Sequence, residues 1–179
     1  MTAWETALPA LAGLLVVAGS AKVWRPADLS RALRAAGLSV GPGMVRGGAA
    51  VEVAVGGWAL LAGGRVGMGG LAVSYLGFAG FVGVALARGT PLATCGCFGE
   101  PDTPPTLAHA VVCAAGGVLA AVAAAIAPPA GLSSTLTDLG VLRGTGLVVL
   151  TAAIGAAAYL VMARVPPVIV ARRILRSGG

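Results

Sequence analysis

The apolar positions of this chain come in long blocks, without the two-residue alternation of a strand or the one-sided stripe of a soluble helix. Five blocks stand out: Trp4 to Val23, Val45 to Ala62, Val66 to Ala87, Leu107 to Ala127 and Gly146 to Ala163. Each falls within the roughly 17–25 residues that a bilayer-crossing helix uses. Prolines punctuate the gaps, at Pro26, Pro42, Pro91, Pro104/Pro105, Pro128/Pro129 and Pro166/Pro167. A missing N–H and a fixed φ stop helices at such points. The alternation of a membrane β-barrel is absent. The pattern predicts an all-α, polytopic membrane helix bundle. A four-helix core occupies 1–127, with a polar loop at 88–106, and 128–179 holds a linker, a fifth span and a basic tail.

One stretch breaks the block pattern. Arg25 to Pro42, "RPADLSRALRAAGLSVGP", puts Leu29, Leu33 and Ala36 on one helical face and Arg31 and Arg34 on the other. It reads either as a short amphipathic helix lying in the membrane interface or as an ordinary basic loop.

Composition agrees with a lipid environment. Of 179 residues, 58% are hydrophobic and only 10% charged, against about 25% charged in soluble domains. The 29 glycines let helix backbones approach closely where lipid removes the hydrophobic drive to pack. The net charge of +6 is no nucleic-acid signature, because the basic residues sit at block ends, where topology and lipid headgroups account for them. Glu5 and the lack of a basic leader argue against a cleavable signal peptide.

Charge also predicts orientation. With five spans, Lys22, Arg25, Arg31, Arg34, Arg46, Arg88, Arg164, Arg172, Arg173 and Arg176 share one side, and Arg65 and Arg143 the other. The positive-inside rule then places the first connection, the 88–106 loop and the C-terminus in the cytoplasm, in a plasma-membrane protein.

Whatever the orientation, alternating spans bring Lys22, Glu52, Arg88, Cys95, Cys97 and His109 to one membrane face. Glu52 lies about two turns inside its span. An ionisable residue there is costly and is a functional candidate by default. Its expected partner is Lys22 or Arg46, either as a structural ion pair or as a proton relay for nearby thiols. His109 and Cys113 are four apart and project from one side of their helix, and a buried Cys113 is read as a small hydrophobe or a third thiol.

The sharpest chemical signal is Cys95-Gly96-Cys97 in "TPLATCGCFGEPDTPP". A disulfide between residues this close departs from relaxed geometry and is easier to reduce. As a brace it gains little, because the loop it closes is so short. Thiol–disulfide exchange is the better use, with Arg88 and the helix start after Thr106 available to stabilise a thiolate. The alternative is a soft-metal site from Cys95, Cys97, His109 and Cys113, but the spacing C-x-C-x11-H-x3-C matches no common zinc pattern. No metal is assigned.

At these residues the chain resembles a known family. "GLLVVAGSAKVWRP", "VEVAVGGWALL" and "CGCFGE" look like the MauE/DoxX family of redox-associated membrane proteins, and within it the MauE (methylamine utilisation) branch. The resemblance covers roughly Leu11 to Ala125 and marks Lys22, Glu52, Cys95, Cys97, Phe98 and Gly99. It implies a helical membrane protein working beside thioredoxin-like partners. It also implies a link to methylamine metabolism, through maturation of the disulfide-rich β subunit of methylamine dehydrogenase, and DoxX-type relatives are linked to quinones and to thiol or sulfur oxidation.

The combined expectation is a membrane thiol–disulfide oxidoreductase. Cys95 or Cys97 exchanges with a partner thiol, Lys22, Glu52, Arg88 and His109 handle charge and protons, and electrons leave to another protein or a quinone. Two other classes stay open: a non-catalytic assembly scaffold, and a small-molecule or sulfur-compound transporter built around Lys22 and Glu52.

Overall fold

The computed structural model describes residues 3–35, 37–87, 106–126, 128–138, 145–146 and 148–157. Within them the chain is helical, with no strand. The long helices are α1 (Ala3–Trp24), α3 (Pro42–Leu61), α4 (Gly64–Ala87) and α5 (Leu107–Ile126), with α2 (Pro26–Ala35) between the first two. Two short helices follow, α6 at 132–138 and α7 at Val148–Ala157. The four long helices are long and apolar enough to cross a membrane, and 20 residues span about 30 Å.

Local chemistry places their ends close to the predicted ones. Extended Gly41 precedes Pro42, which opens α3 where its absent N–H costs nothing. Pro9 lies inside α1, early enough that the helix continues to Trp24. At the other end of α3, Ala62 caps back onto Trp58, and the chain reverses through Gly63 and Gly64 at φ +64° and +72°. Side chains rarely adopt that backbone region.

Packing divides the core into two antiparallel pairs, α1 with α3 and α4 with α5, joined by lighter contacts. Glycine makes the first pair possible. A Cβ on Gly19 would stand 2.9 Å from the Ala49 carbonyl and from Val53, and one on Gly56 2.9 Å from the Ala12 carbonyl and Val16. The backbones therefore touch at both ends of the pair, as small residues allow in lipid. Leu8, Leu15, Met68, Leu71, Tyr75 and Cys113 fill the common core. The Tyr75 hydroxyl donates to the Leu11 carbonyl at 2.8 Å, tying α4 to α1. Large apolar side chains remain outside, Trp58 59% and Val73 74% exposed, as lipid-facing residues should be.

The amphipathic stretch is a helix, α2, resting on α1 and α3. Its buried residues are Pro26 and Ser30, with Leu29 and Leu33 only half-buried beside them. The small residues allow close contact and the leucines flank it, so the packed face is turned slightly from the leucine stripe. Ala36 lies outside the described residues.

After α5 the chain returns to the α3–α4 turn. The Gly64 N–H donates to the Pro129 carbonyl at 3.1 Å, Gly63 and Ala130 form an antiparallel bridge, and the Ser133 hydroxyl donates to the Leu61 carbonyl at 2.6 Å. A Cβ on Gly131 would collide with that same Leu61 carbonyl. Of the predicted fifth span, Val148–Ala157 is helical and apolar but, at ten described residues, shorter than a span; residues 158–163 lie outside the described residues. Between α1 and α7 is an apolar cleft of about 420 Å³, reaching Leu60 and Leu132.

Candidate functional site

The α1–α3 register builds the site. Gly19 sits against Ala49 and Val53, with the Glu52 Cβ 3.1 Å from where its own would be. Lys22 follows one turn later, in the last turn of α1. In this antiparallel register Lys22 starts nearer the membrane boundary than Glu52, and its side chain reaches inward by about a turn. Lysines near helix ends ordinarily extend outward to water.

Two partners explain the inward course. Lys22 Nζ donates to Glu52 Oε2 at 2.5 Å, and it stands 4.4 Å from the centre of the Phe78 ring on α4. The lysine side chain is 4% exposed and the glutamate 18%. An aromatic face and a carboxylate together stabilise an ammonium removed from water. Phe78 meets Tyr75 edge-on at 6.2 Å, so the pair is backed by an aromatic wall that continues to α1 through the Tyr75–Leu11 hydrogen bond. Arg46, the other candidate partner for Glu52, instead donates from Nε to the Val23 carbonyl at 3.3 Å. That satisfies a carbonyl at the end of α1, which has no partner of its own inside the helix.

His109 and Cys113 are both buried on α5, as their spacing predicts. His109 has a structural task. The Thr106 backbone N–H donates to His109 Nδ1 at 3.3 Å, and the Thr106 hydroxyl lies 2.7 Å from the same nitrogen. Thr106 occupies the cap position and His109 the third helical residue, so His109 fills the place of the Glu or Gln of a capping box. A ring nitrogen accepting from a backbone N–H leaves the neutral ring's proton on Nε2, an assignment read from hydrogen-bond geometry. Cys113 belongs to the same buried core cluster as Tyr75.

These groups share one end of the bundle. The segment after α5 is hydrogen-bonded to the α3–α4 turn, so α5 begins at the opposite end, where α4 finishes and α1 delivers Lys22. By chain order, residues 88–105 connect the end of α4 to the start of α5. Arg88, Cys95, Cys97, Phe98 and Gly99 lie outside the described residues. Among the described residues no three His, Cys, Asp or Glu side chains group as metal ligands.

Sequence reasoning missed Phe78, Tyr75 and Thr106. The last had a signal: T-x-x-H stands at a helix start where S/T-x-x-E/Q marks a capping box. The aromatic wall had none, since Phe78 and Tyr75 are two of many apolar residues in α4.

No match to a curated protein or to a solved structure was found. A family model described as methylamine utilisation protein MauE matches residues 2–128, taking in the four long helices, the Lys22–Glu52 pair and the cysteine loop. The chain is a multi-pass membrane protein belonging to the MauE family.

Proposed function

We propose that this protein is a membrane thiol–disulfide redox protein serving methylamine utilisation, with Cys95 and Cys97 as the exchanging pair. The observation that supports this most is the buried Lys22 held between half-buried Glu52 and Phe78, at the end of the bundle where α4 finishes and α5 begins. A charge pair kept inside an apolar bundle is expensive unless it has a use, and thiol exchange needs local handling of charge and protons.

In the oxidising direction, a partner thiolate attacks one sulfur of the Cys95–Cys97 disulfide. A mixed disulfide forms and the other cysteine leaves as a thiolate. A second partner thiolate then breaks the mixed disulfide, and the partner departs oxidised. Two electrons reach the chain, and protons released by the partner thiols can be taken up by the new thiolates. The reverse sequence reduces a partner. A second protein, thioredoxin-like by family resemblance and entering in its disulfide form, takes up the two electrons by the same exchange, leaves as a dithiol and restores the Cys95–Cys97 disulfide; in the reverse direction it enters as a dithiol. Lys22 and Arg88 supply the cations that compensate thiolate charge, and Glu52 takes up or gives a proton. With Nδ1 of His109 engaged in capping, proton transfer through that ring uses Nε2. Cys113 serves as core packing.

A quinone acceptor would need an apolar cleft with a polar contact near the cysteine loop. The described cleft runs along Pro9 to Val17 toward the opposite end, so no step through a quinone is derived. The arginine distribution supports a cytoplasmic loop.

The test is a Cys97→Ser variant, expected to accumulate a partner as a reducible adduct on Cys95. No adduct, together with an unchanged partner redox state, would leave a non-cycling assembly factor instead. Labelling with a membrane-impermeant thiol reagent in intact cells and inverted vesicles reports sidedness; labelling in intact cells alone would overturn the cytoplasmic placement.

A further inference from the structure

Where α1 finishes, two arginines are left without an ionic partner. Arg25 sits between α1 and α2, Arg46 lies just inside α3, and both are exposed. The ion pairs among the described residues are Lys22 with Glu52 and Arg31 with Asp28, so neither Arg25 nor Arg46 meets a carboxylate there. Arg46 is nevertheless held in place, because its Nε donates to the Val23 carbonyl at 3.3 Å. That contact uses one of the five N–H donors of the guanidinium and leaves both terminal nitrogens uncommitted. It also brings Arg46 to the segment that carries Trp24 and Arg25. Trp24 is 85% exposed and is the last residue of a membrane-crossing helix. An indole in that position belongs at headgroup depth. The α2 arginines, Arg31 and Arg34, are exposed too, but each has a partner on its own helix, Asp28 and Ser30.

We propose that Arg25 and Arg46, beside Trp24, bind the phosphate of an anionic phospholipid headgroup. Charge selects that occupant first: with Glu52 committed to Lys22, the described surface of this end carries four arginines against one carboxylate, Asp28. Depth selects it next, since Trp24 marks the headgroup level and the neighbouring cations lie at the same boundary. Geometry adds to both. The Val23 carbonyl orients the Arg46 guanidinium, and an oriented fork matches two phosphate oxygens better than a freely moving cation does. A zwitterionic lipid presents the same phosphate with its own cation attached, which removes most of the attraction that an anionic headgroup retains. The site serves whichever leaflet this end of the bundle meets, and it is independent of thiol exchange.

The test uses the full chain in phosphatidylcholine vesicles, with spin-labelled phosphatidylglycerol or spin-labelled phosphatidylcholine as the probe. Electron paramagnetic resonance gives the fraction of each probe held at the protein. Wild type should prefer phosphatidylglycerol by about 5–30-fold, as one or two arginine contacts give, and should lose most of that preference at about 1 M salt. Arg25→Gln/Arg46→Gln should abolish it, and Arg25→Gln alone, which breaks no contact in the fold, should lower it about 5-fold. Arg31→Gln/Arg34→Gln removes the same charge from α2 and should leave most of the preference in place. Equal losses in the two double variants would mean diffuse attraction by net charge and overturn the site. A wild type without preference, or an unchanged Arg25→Gln/Arg46→Gln variant, overturns it as well. Displacement of the lipid probe by inorganic phosphate at constant ionic strength overturns the headgroup assignment.

Discussion

The two ends of the bundle are held by different chemistry. At the end bearing the cysteine loop, side chains do the joining: Lys22 to Glu52, Arg46 to the Val23 carbonyl, His109 to the cap of α5. At the far end the backbone does it, through Gly63, Gly64, Pro129 and Ala130, with Ser133 on the Leu61 carbonyl. Backbone contacts constrain shape and tolerate little change. Side-chain contacts can differ in charge and proton occupancy without altering the helices that present them. The thiol chemistry proposed above would sit on the second kind of scaffold, anchored by the first.

Substitutions can break this contrast, beginning with the most damaging. Lys22→Met should destabilise the bundle by about 3–5 kcal/mol by leaving Glu52 uncompensated, while the double variant Lys22→Met/Glu52→Leu should recover most of it. Thermal melting in detergent across the four-member cycle measures the coupling. Comparable losses in the single and double variants would mean that the pair acts only as filler.

Gly63→Val at the far end should follow, at about 2–4 kcal/mol, because a positive φ and contact with the Pro129–Gly131 backbone, a strap across the α3–α4 turn, both oppose a side chain. Its thiol exchange rate, measured on protein that remains folded, should match wild type. A slowed rate would dissolve the division between anchor and working end.

His109→Ala should cost about 1 kcal/mol as a lost cap, and His109→Gln should restore stability by replacing the capping acceptor. The glutamine variant separates roles: if it melts like wild type yet exchanges thiols several-fold more slowly, His109 also moves protons. Smallest of all, Arg46→Gln should change stability by about 0.5–1 kcal/mol, one exposed hydrogen bond.

Much of the frame was legible in the residues. Blocks of apolar positions, with Pro42 and Pro104/Pro105 before two of them and Pro128/Pro129 after the fourth, located four long helices to within a few residues, because a bilayer imposes length and apolarity together. That Glu52 would have a cationic partner followed from the cost of an isolated charge in lipid, but the choice of Lys22 over Arg46 came only with the helix register. The "GSAK" stretch now has a physical reading: Gly19 lets α1 meet α3, and three residues later Lys22 is in reach of Glu52. What stayed hidden depends on partners far apart in the chain. Nothing near Phe78 announces that a lysine from α1 will lie over its ring, and Pro129 carries no sign that its carbonyl will receive the Gly64 N–H. Those contacts exist only once helices have chosen neighbours.

The strap over the α3–α4 turn bears on biogenesis. Residues 128–133 are made well after Gly63 and Gly64, and at about 5–20 residues per second several seconds separate the two. During that interval the first three spans are inserted with their turn unfastened. Final closure of that turn therefore waits until the fourth span and residues 128–133 have been made.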